Sequence, residues 1–308
     1  MNLLPKLRII VPSACQFRCL ICHNEHNQDS FDYNREALRY AMRKISSTSL
    51  VKHVNISGGE PLHPNNIDIT KEIAGDVQEI FPMSSLSLNT NAMNITREIT
   101  EWLSTTVNYV KVSLYGMTES AYLSYTGISA FGHVKTGIDV LIESGISVKI
   151  NVLSTKHTAQ LTQMKYLLNF CSGRLLPIKF IEVITHDWFN DYKLTACENL
   201  FVSPQTVERR LILLGAKAKY SLFDRRIMIY KNIPLEIYRY PNSLKDTDSY
   251  SQFGWGSFLR ADGITCSIEL ETNRQKPPLK PRSDDVSRWA ETDLCWKQFE
   301  RTNLTIGG

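Results

Sequence analysis

Three cysteines within eight residues are the densest set of metal-binding side chains in the sequence. Cys15, Cys19 and Cys22 stand in "CQFRCLIC", with the spacing C-x3-C-x2-C, directly after the apolar run "LRIIVP". Three thiolates can hold three irons of a cubane [4Fe–4S] cluster, so one iron would stay open to a ligand that is not protein. A zinc site that adds His23 or His26 to the thiols is the alternative. The spacing favours the cluster.

Length and composition describe an ordinary globular chain. It has 308 residues, of which 43% are hydrophobic and 21% charged, and its net charge is only +4. Because no block of lysines and arginines stands out, nucleic acid is not an expected partner. No apolar stretch approaches ~20 residues and no signal-peptide pattern opens the chain, so we expect a cytoplasmic protein without membrane association. Clustered cysteines in the cytoplasm are typical of a metal or catalytic site.

Six short β-branched runs alternate with helical patterns over the first 185 residues. This alternation predicts an α/β fold, a partial (βα)6 TIM-like barrel that stays open because six strands fall short of eight. Ligands are then expected at the carboxyl ends of the strands, where "CQFRCLIC" follows the first one. The predicted strands are 7–13, 53–58, 85–90, 109–115, 147–154 and 178–184, and the predicted helices are 34–47, 66–81, 94–106, 131–145 and 158–171.

The pattern changes after about residue 190. We predict a barrel domain over 1–190 and a C-terminal α+β extension over 191–308 that covers the barrel mouth. The extension is expected to contain helices at 203–215 and 286–303, hairpin strands within 225–241, and two strands within 253–270 that turn at Asp262-Gly263.

The cysteine spacing after a first barrel strand resembles that of radical S-adenosylmethionine (SAM) enzymes. "SGGEP" (57–61), after the second strand, is similar to the GGE motif of that superfamily. The resemblance implies one [4Fe–4S] cluster on the three cysteines, with SAM chelating the open iron and being cleaved to a radical that abstracts hydrogen from substrate. It also implies an electron donor such as flavodoxin or ferredoxin. Gly58 and Gly59 would let the backbone approach SAM, and Glu60 could accept from its amine.

Within the superfamily the chain resembles the GTP cyclases of molybdopterin biosynthesis (MoaA-like). "LNTNAM", "VKVSLYG", "VKINVL" and "IKFIEVI" occur in the order of that family, and the chain ends in a Gly-Gly pair. The resemblance implies that the tail reaches the active site, although a frayed end is the alternative. The residues that it places near SAM are Ile21, Gly59, Ser113 and Ile184; those on the substrate side are Arg8, Asn55, Asn89 and Lys149; the tail is Gly307 and Gly308.

The departures from that family point to a different substrate. The cyclases carry a second [4Fe–4S] cluster on C-x2-C plus a distant cysteine, whereas residues 253–266 of this chain offer only Cys266. The position before the third cysteine is usually aromatic and is Ile21 here. A paired arginine motif is reduced to Arg260. GTP recognition by a second cluster is therefore not expected.

The expected function is reductive cleavage of SAM and hydrogen abstraction from a polar small molecule. The substrate would be nucleotide- or sugar-like and could be anionic, because Arg8 and Lys149 could pair with phosphate or carboxylate. The reaction would be a cyclisation or rearrangement. One alternative is an epimerase or dehydrogenase of a sugar or peptide in which Cys266 returns a hydrogen atom, although a buried strand cysteine would look the same. A non-enzymatic zinc-binding module is the other alternative.

Overall fold

Six parallel strands in chain order form the centre of the main sheet. The computed structural model describes residues 2–4, 6–20, 22, 32–183, 191–221, 225–238, 257–260 and 265–266. The six central strands confirm the six predicted ones to within two residues at each end. They are β2 (Leu7–Val11), β4 (His53–Gly58), β5 (Ser85–Thr90), β6 (Tyr109–Leu114), β7 (Val148–Ser154) and β8 (Ile178–Glu182). A separate two-stranded sheet pairs β1 (Asn2–Leu4) with β3 (Ser49–Val51).

Helices connect the central strands, as parallel pairing requires. Polar side chains cap several of them: Asn34, Thr96, Thr118 and Ser203 each accept a hydrogen bond from a backbone N–H in the first turn. The helices are α1 (Arg35–Thr48), α2 (Ile67–Ile80), α3 (Arg97–Thr106), α4 (Glu119–Thr126), α5 (Phe131–Glu143), α6 (Leu161–Ser172), α7 (Asp191–Leu200) and α8 (Pro204–Leu213). Helices α4 and α7 were not predicted from the sequence.

The C-terminal part of the chain adds strands to both edges of the sheet. At one edge β11 (Ile233–Tyr238) runs parallel to β8 and continues through β10 (Arg225–Tyr230) to β9 (Lys217–Ser221). At the other edge β12 (Ser257–Arg260) runs parallel to β2 and pairs with β13 (Thr265–Cys266). The described strands thus form an open sheet in the order β13-β12-β2-β4-β5-β6-β7-β8-β11-β10-β9.

Other predictions for the extension concern residues outside the described part of the chain. Three of these features lie outside the described residues, namely the helix at 286–303, the turn at Asp262-Gly263 and the tail Gly307-Gly308. Residues 239–256, 261–264 and 267–308, which include the segments predicted to cover the barrel mouth, also lie outside them. The domain boundary near residue 190 stays a prediction. Among the described residues, no helix is both long and apolar enough to span a membrane.

The two faces of the central sheet differ in polarity. Leu7, Ile9 and Val11 are fully buried on the face covered by α1 and α2, and β6 contributes Val110 and Val112 to the larger core on the same face. The opposite face, which we call the inner face, is polar. Register pairs align its side chains from strand to strand: Arg8, Asn55, Ser57, Ser87, Asn89, Tyr109, Lys111, Ser113, Lys149, Asn151 and Lys179.

This polarity is unusual for a closed eight-stranded barrel, whose interior is filled by branched apolar side chains. Burying polar and charged groups is costly unless they are paired. A face lined in this way is suited to water and a polar ligand rather than to a packed core.

Candidate active site

The cysteine loop follows β2 at its carboxyl end, where ligands are expected in a βα barrel. The buried side chain of Asn66 fastens its first part, because the Nδ2 atom donates to the carbonyls of Pro12 (3.0 Å), Ala14 (3.1 Å) and Glu60 (3.0 Å). The backbone N–H of Glu60 also donates to the Ala14 carbonyl, at 2.8 Å. The loop is therefore held against the segment that follows β4.

The second part of the cysteine loop is fastened to α4. The N–H of Arg18 donates to the carbonyl of Thr126 at 2.8 Å, and that of Leu20 donates to the carbonyl of Tyr125 at 3.0 Å. These carbonyls belong to the last turn of the helix, where backbone acceptors have no partner within the helix. The unpredicted helix α4 thus helps to position the thiols.

The three predicted cluster ligands are each partly exposed. Asn91 Nδ2 lies 4.0 Å from Cys15 Sγ, the hydroxyl of Tyr115 is hydrogen-bonded to Cys19, and the N–H of Cys22 donates to the Cys19 carbonyl at 3.2 Å. Burial raises the pKa of both Cys15 and Cys19, the latter to about 12. Binding a metal would therefore release protons from these thiols.

The thiol set is compatible with a cluster. In the described part of the chain, no group of three or more His, Cys, Asp or Glu side chains is arranged to hold one metal ion. A cubane binds each thiolate to a different iron, so its ligands need not converge on one point. His23 and His26, which the zinc alternative needs, lie outside the described residues.

An aromatic cluster lies beneath the cysteine loop. Tyr115 stacks on Tyr125 with ring centroids 5.1 Å apart, and Phe17 meets Tyr115 edge-on at 5.9 Å. Burial raises the pKa of Tyr115 well above its ordinary value, and the nearby thiols Cys19, Cys22 and Cys15 raise it further. The phenol therefore stays protonated and is able to donate a hydrogen bond to a thiolate.

The two motif glycines pack against the backbone of β2 and its loop. Gly58 has φ +125°, and a Cβ atom there would lie 2.5 Å from the Val11 carbonyl oxygen. A Cβ on Gly59 would lie 2.5 Å from the Pro12 oxygen and 2.7 Å from that of Ala14. The structure thus gives both glycines a role in placing the cysteine loop, in addition to the approach to SAM that the sequence predicted.

Glu60 has a structural role in addition to the contact with the cationic amine of SAM, which stays a prediction. Its carboxylate is buried and accepts from Thr90 Oγ1 (2.6 Å), the N–H of Asn91 (2.6 Å) and the N–H of Leu62 (3.0 Å). Burial raises its pKa to about 7, and the three hydrogen bonds act in the opposite direction. The side chain thus ties the end of β5 to the motif segment.

The remaining predicted SAM residues are only partly described. Ser113 lies near the carboxyl end of β6 on the inner face and pairs in register with Asn151. Ile21 and Ile184 lie outside the described residues.

The predicted substrate residues all lie on the inner face. Arg8 Nη2 donates to Ser57 Oγ at 2.8 Å, and Asn89 Nδ2 approaches the same oxygen at 3.5 Å. The Oδ1 atom of Asn55 accepts from Lys111 Nζ at 2.7 Å and from Ser87 Oγ at 2.8 Å, and the residue is only 1% exposed. Asn55 therefore orients its neighbours.

Lys149, the fourth predicted substrate residue, has its Nζ atom 3.9 Å from the centre of the Tyr109 ring. Four charged residues on the same face were not predicted from the sequence, namely Lys111, Lys179, Arg225 and Glu236. Only the two lysines had a local signal, since each stands inside a predicted strand, Lys111 in "YVKVSLY" and Lys179 in "IKFIEVI".

Comparison with solved structures shows the fold. SuiB from Streptococcus suis bound to S-adenosylmethionine matches with a TM-score of 0.63 and 16% identity, over 93% of this chain and 65% of that one. SuiB bound to its precursor peptide SuiA matches with a TM-score of 0.59 and 16% identity, over 94% and 65%. The structure of anSMEcpe with bound AdoMet matches with a TM-score of 0.54 and 16% identity, over 68% and 59%. This chain thus spans less than two thirds of the length of these proteins.

A family model matches part of the chain directly. Residues 9–158 match the model of the Radical SAM superfamily, and this range contains the three cysteines and the Gly-Gly-Glu motif. Enzymes of that superfamily use a [4Fe–4S] cluster and SAM, the cofactors that the cysteine spacing and the resemblance predicted. Residues 9–158 are therefore identified as a Radical SAM domain.

Proposed function

We propose that this radical SAM enzyme cleaves SAM reductively at a cluster held by Cys15, Cys19 and Cys22 and abstracts hydrogen from a polar, anionic small molecule. The observation that carries the proposal is the position of the cysteine loop. It is fastened at the carboxyl end of β2, next to an inner face lined by polar and cationic side chains. Cofactor and substrate would then meet at one end of the sheet.

The chain's own residues would hold and tune the cofactors. When bound, the cluster and SAM supply the one-electron cleavage and the hydrogen-atom abstraction. Tyr115 already lies beside Cys19, and Asn91 lies beside Cys15. Both side chains would donate hydrogen bonds to the sulfurs of these cysteines. Gly58, Gly59 and Ser113 would border SAM, as would Ile21 and Ile184 by resemblance to the superfamily.

The substrate side would comprise Arg8, Asn89 and Lys149, with Asn55 orienting Lys111. We further propose a cyclisation or rearrangement of a nucleotide- or sugar-like molecule in the cytoplasm, with flavodoxin or ferredoxin as electron donor. This part rests on the resemblance to the MoaA-like cyclases. By the same resemblance, the tail Gly307-Gly308 would approach the substrate.

An epimerase is the second candidate, favoured by the register of the edge strands. Cys266 pairs with Phe258 of β12, Phe258 pairs with Arg8 of β2, and Arg8 pairs with Asn55 of β4. The backbone of Cys266 therefore belongs to the same row of the sheet as two proposed substrate residues. A product with inverted configuration that Cys266→Ala no longer forms would support this candidate.

Metal analysis of anaerobically reconstituted protein tests the proposal. We expect brown protein with about four irons per chain and little zinc. Alanine at Cys15, Cys19 or Cys22 should each remove the iron, whereas Cys171→Ala, which changes a buried cysteine in α6, should retain it. Colourless protein with one zinc per chain would instead support the zinc-binding module.

A further inference from the structure

Two buried hydrogen-bond donors flank the cysteine loop, and neither has a partner among the described residues. They are the Nε2 atom of Gln16 and the hydroxyl of Tyr125, which we call the open donors. Leaving a buried donor unpaired costs free energy, because the group has lost its water and gained nothing in return. Most buried polar groups in folded proteins are therefore paired, and an exception suggests that a ligand supplies the partner.

Neighbouring hydrogen bonds fix which end of the Gln16 amide is the open one. The Oδ1 atom of Asn91 accepts from the N–H of Met93 at 2.9 Å, so the Nδ2 atom of Asn91 faces the other way. That Nδ2 atom donates to Gln16 Oε1 at 3.1 Å and lies 4.0 Å from Cys15 Sγ. Because a donor already occupies the Gln16 oxygen, the remaining end of the amide is its NH2 group. Gln16 thus holds a donor near the first thiol.

Tyr125 approaches the cysteine loop from α4. Its ring stacks on that of Tyr115, with centroids 5.1 Å and planes 20° apart, and the Tyr115 hydroxyl is hydrogen-bonded to Cys19. Its backbone carbonyl accepts from the N–H of Leu20 at 3.0 Å. The side chain is buried in a small apolar cluster against which Cys19 packs. Both the ring and the backbone of Tyr125 are therefore fixed beside the second thiol.

Both open donors keep their protons at neutral pH. Burial raises the pKa of Tyr125 well above its ordinary value, and the nearby thiols of Cys19, Cys197 and Cys22 raise it further. The amide of Gln16 does not titrate in this range. Each group is thus able to donate a hydrogen bond to an anionic acceptor.

We propose that Gln16 and Tyr125 donate hydrogen bonds to sulfur atoms of the bound cluster and thereby raise its reduction potential. The inference rests on the proposed function and adds two residues to its cofactor site. Hydrogen bonds to cluster sulfurs are among the factors that set the potential. Reduction adds negative charge to the cluster, so a donor stabilises the reduced form more than the oxidised form.

The position of the open donors favours sulfur over other acceptors. Each lies against a side chain that already has a donor at a thiol, since Asn91 contacts both Gln16 and Cys15, and Tyr115 contacts both Tyr125 and Cys19. A buried water would satisfy the open donors without changing the potential. An acceptor on SAM would reach them only after SAM binds. These alternatives therefore differ in what a measurement without SAM would show.

Potentiometric titration tests the assignment on the full chain, reconstituted with its cluster and free of SAM. Gln16→Met and Tyr125→Phe each remove one donor and should each lower the equilibrium constant for one-electron reduction about tenfold, a shift of about 59 mV to more negative potential. The double variant should combine the two shifts. The matched controls are Gln160→Met and Tyr166→Phe, which change exposed residues of the α6 region and should leave the potential unchanged.

Exchangeable protons near the reduced cluster give a second readout. Electron–nuclear double resonance should show proton couplings that disappear when H2O is replaced by D2O, and each single variant should lack one coupling that the unchanged protein has. Gln16→Glu keeps an oxygen that accepts from Asn91 but loses the NH2 group. It takes the place of Gln16→Met if that variant retains too little iron.

An unchanged potential in the single variants, which a buried water would produce, would overturn the assignment. Shifts that appear only after SAM is added would overturn it as well. Iron content and 5′-deoxyadenosine formation, measured on the same preparations, separate the two proposals. Protein that holds a cluster and cleaves SAM, but whose variants show no shift, contradicts only the hydrogen bonds. Protein whose variants show the shift, but that does not cleave SAM, contradicts only the proposed function.

Discussion

At the scale of single residues, hydrogen bonds to the thiols of the cysteine loop are expected to influence the chemistry of the cluster. Tyr115 donates to Cys19, and Asn91 approaches Cys15 while also donating to Gln16. Neither contact could be predicted from the sequence, because the donors are separated from the cysteines by more than seventy residues. The cysteines themselves could be predicted, since their chemistry depends on spacing within one loop.

Tyr115→Phe should make the reduction potential of the cluster more negative. The change removes the O–H donor to Cys19 but keeps the ring that stacks on Tyr125. Hydrogen bonds to cluster sulfurs are among the factors that set the potential, and losing one disfavours the reduced, more negative state. The measurement is a potentiometric titration followed by electron paramagnetic resonance. Tyr40→Phe on exposed α1 is the control, and an unchanged potential in Tyr115→Phe would count against the contact.

At the scale of elements, the loops after β2, β4 and β5 form one interlocked unit. Glu60 joins the loop after β4 to the loop after β5. Asn66 joins the loop after β4 to the loop after β2. The sequence placed the six strands correctly because each is a short β-branched run. It missed α4, because "ESAYLSYT" is only eight residues long and buries tyrosines and a threonine rather than an aliphatic stripe.

Gly58→Ala should destabilise the protein and loosen the cysteine loop. The new Cβ would meet Val11 backbone at 2.5 Å in a left-handed conformation, at a cost of about 2 kcal/mol or more. Gly75→Ala is the matched control, because a Cβ there meets nothing within 4 Å and the helix interior of α2 gains about 0.5–1 kcal/mol. Denaturant unfolding measures both. Equal stability of Gly58→Ala and the unchanged chain would contradict this packing.

Across the whole molecule, the sheet separates an apolar core on one face from a charged inner face on the other. The alternation within each strand predicts the two faces, but not which distant strands extend the sheet. Pairing of β12 with β2 joins residues about 250 positions apart, and β11 returns to β8 after two helices and a hairpin. Glu236 thereby enters a row of cations that no local pattern reveals.

Glu236→Gln should destabilise the protein by about 3 kcal/mol at pH 7, because Lys179 and Arg225 would keep their charges without this carboxylate. Burial alone would raise the pKa of Glu236, yet those cations hold it at about 2, below its ordinary value of 4.5. Its contribution to stability is therefore complete above pH 4.5 and is lost as the pH falls through 2. Denaturant unfolding at several pH values should show the difference between the two proteins shrinking below pH 4.5. A difference that stays constant would refute the charge pairing.

Formation of 5′-deoxyadenosine by the reduced, anaerobically reconstituted protein tests the central claim most directly. The account predicts that the unchanged chain converts SAM to this product, whereas alanine at Cys15, Cys19 or Cys22 abolishes the conversion and Cys171→Ala leaves it intact. Absence of 5′-deoxyadenosine from protein that carries a full cluster and retains its fold would contradict the account.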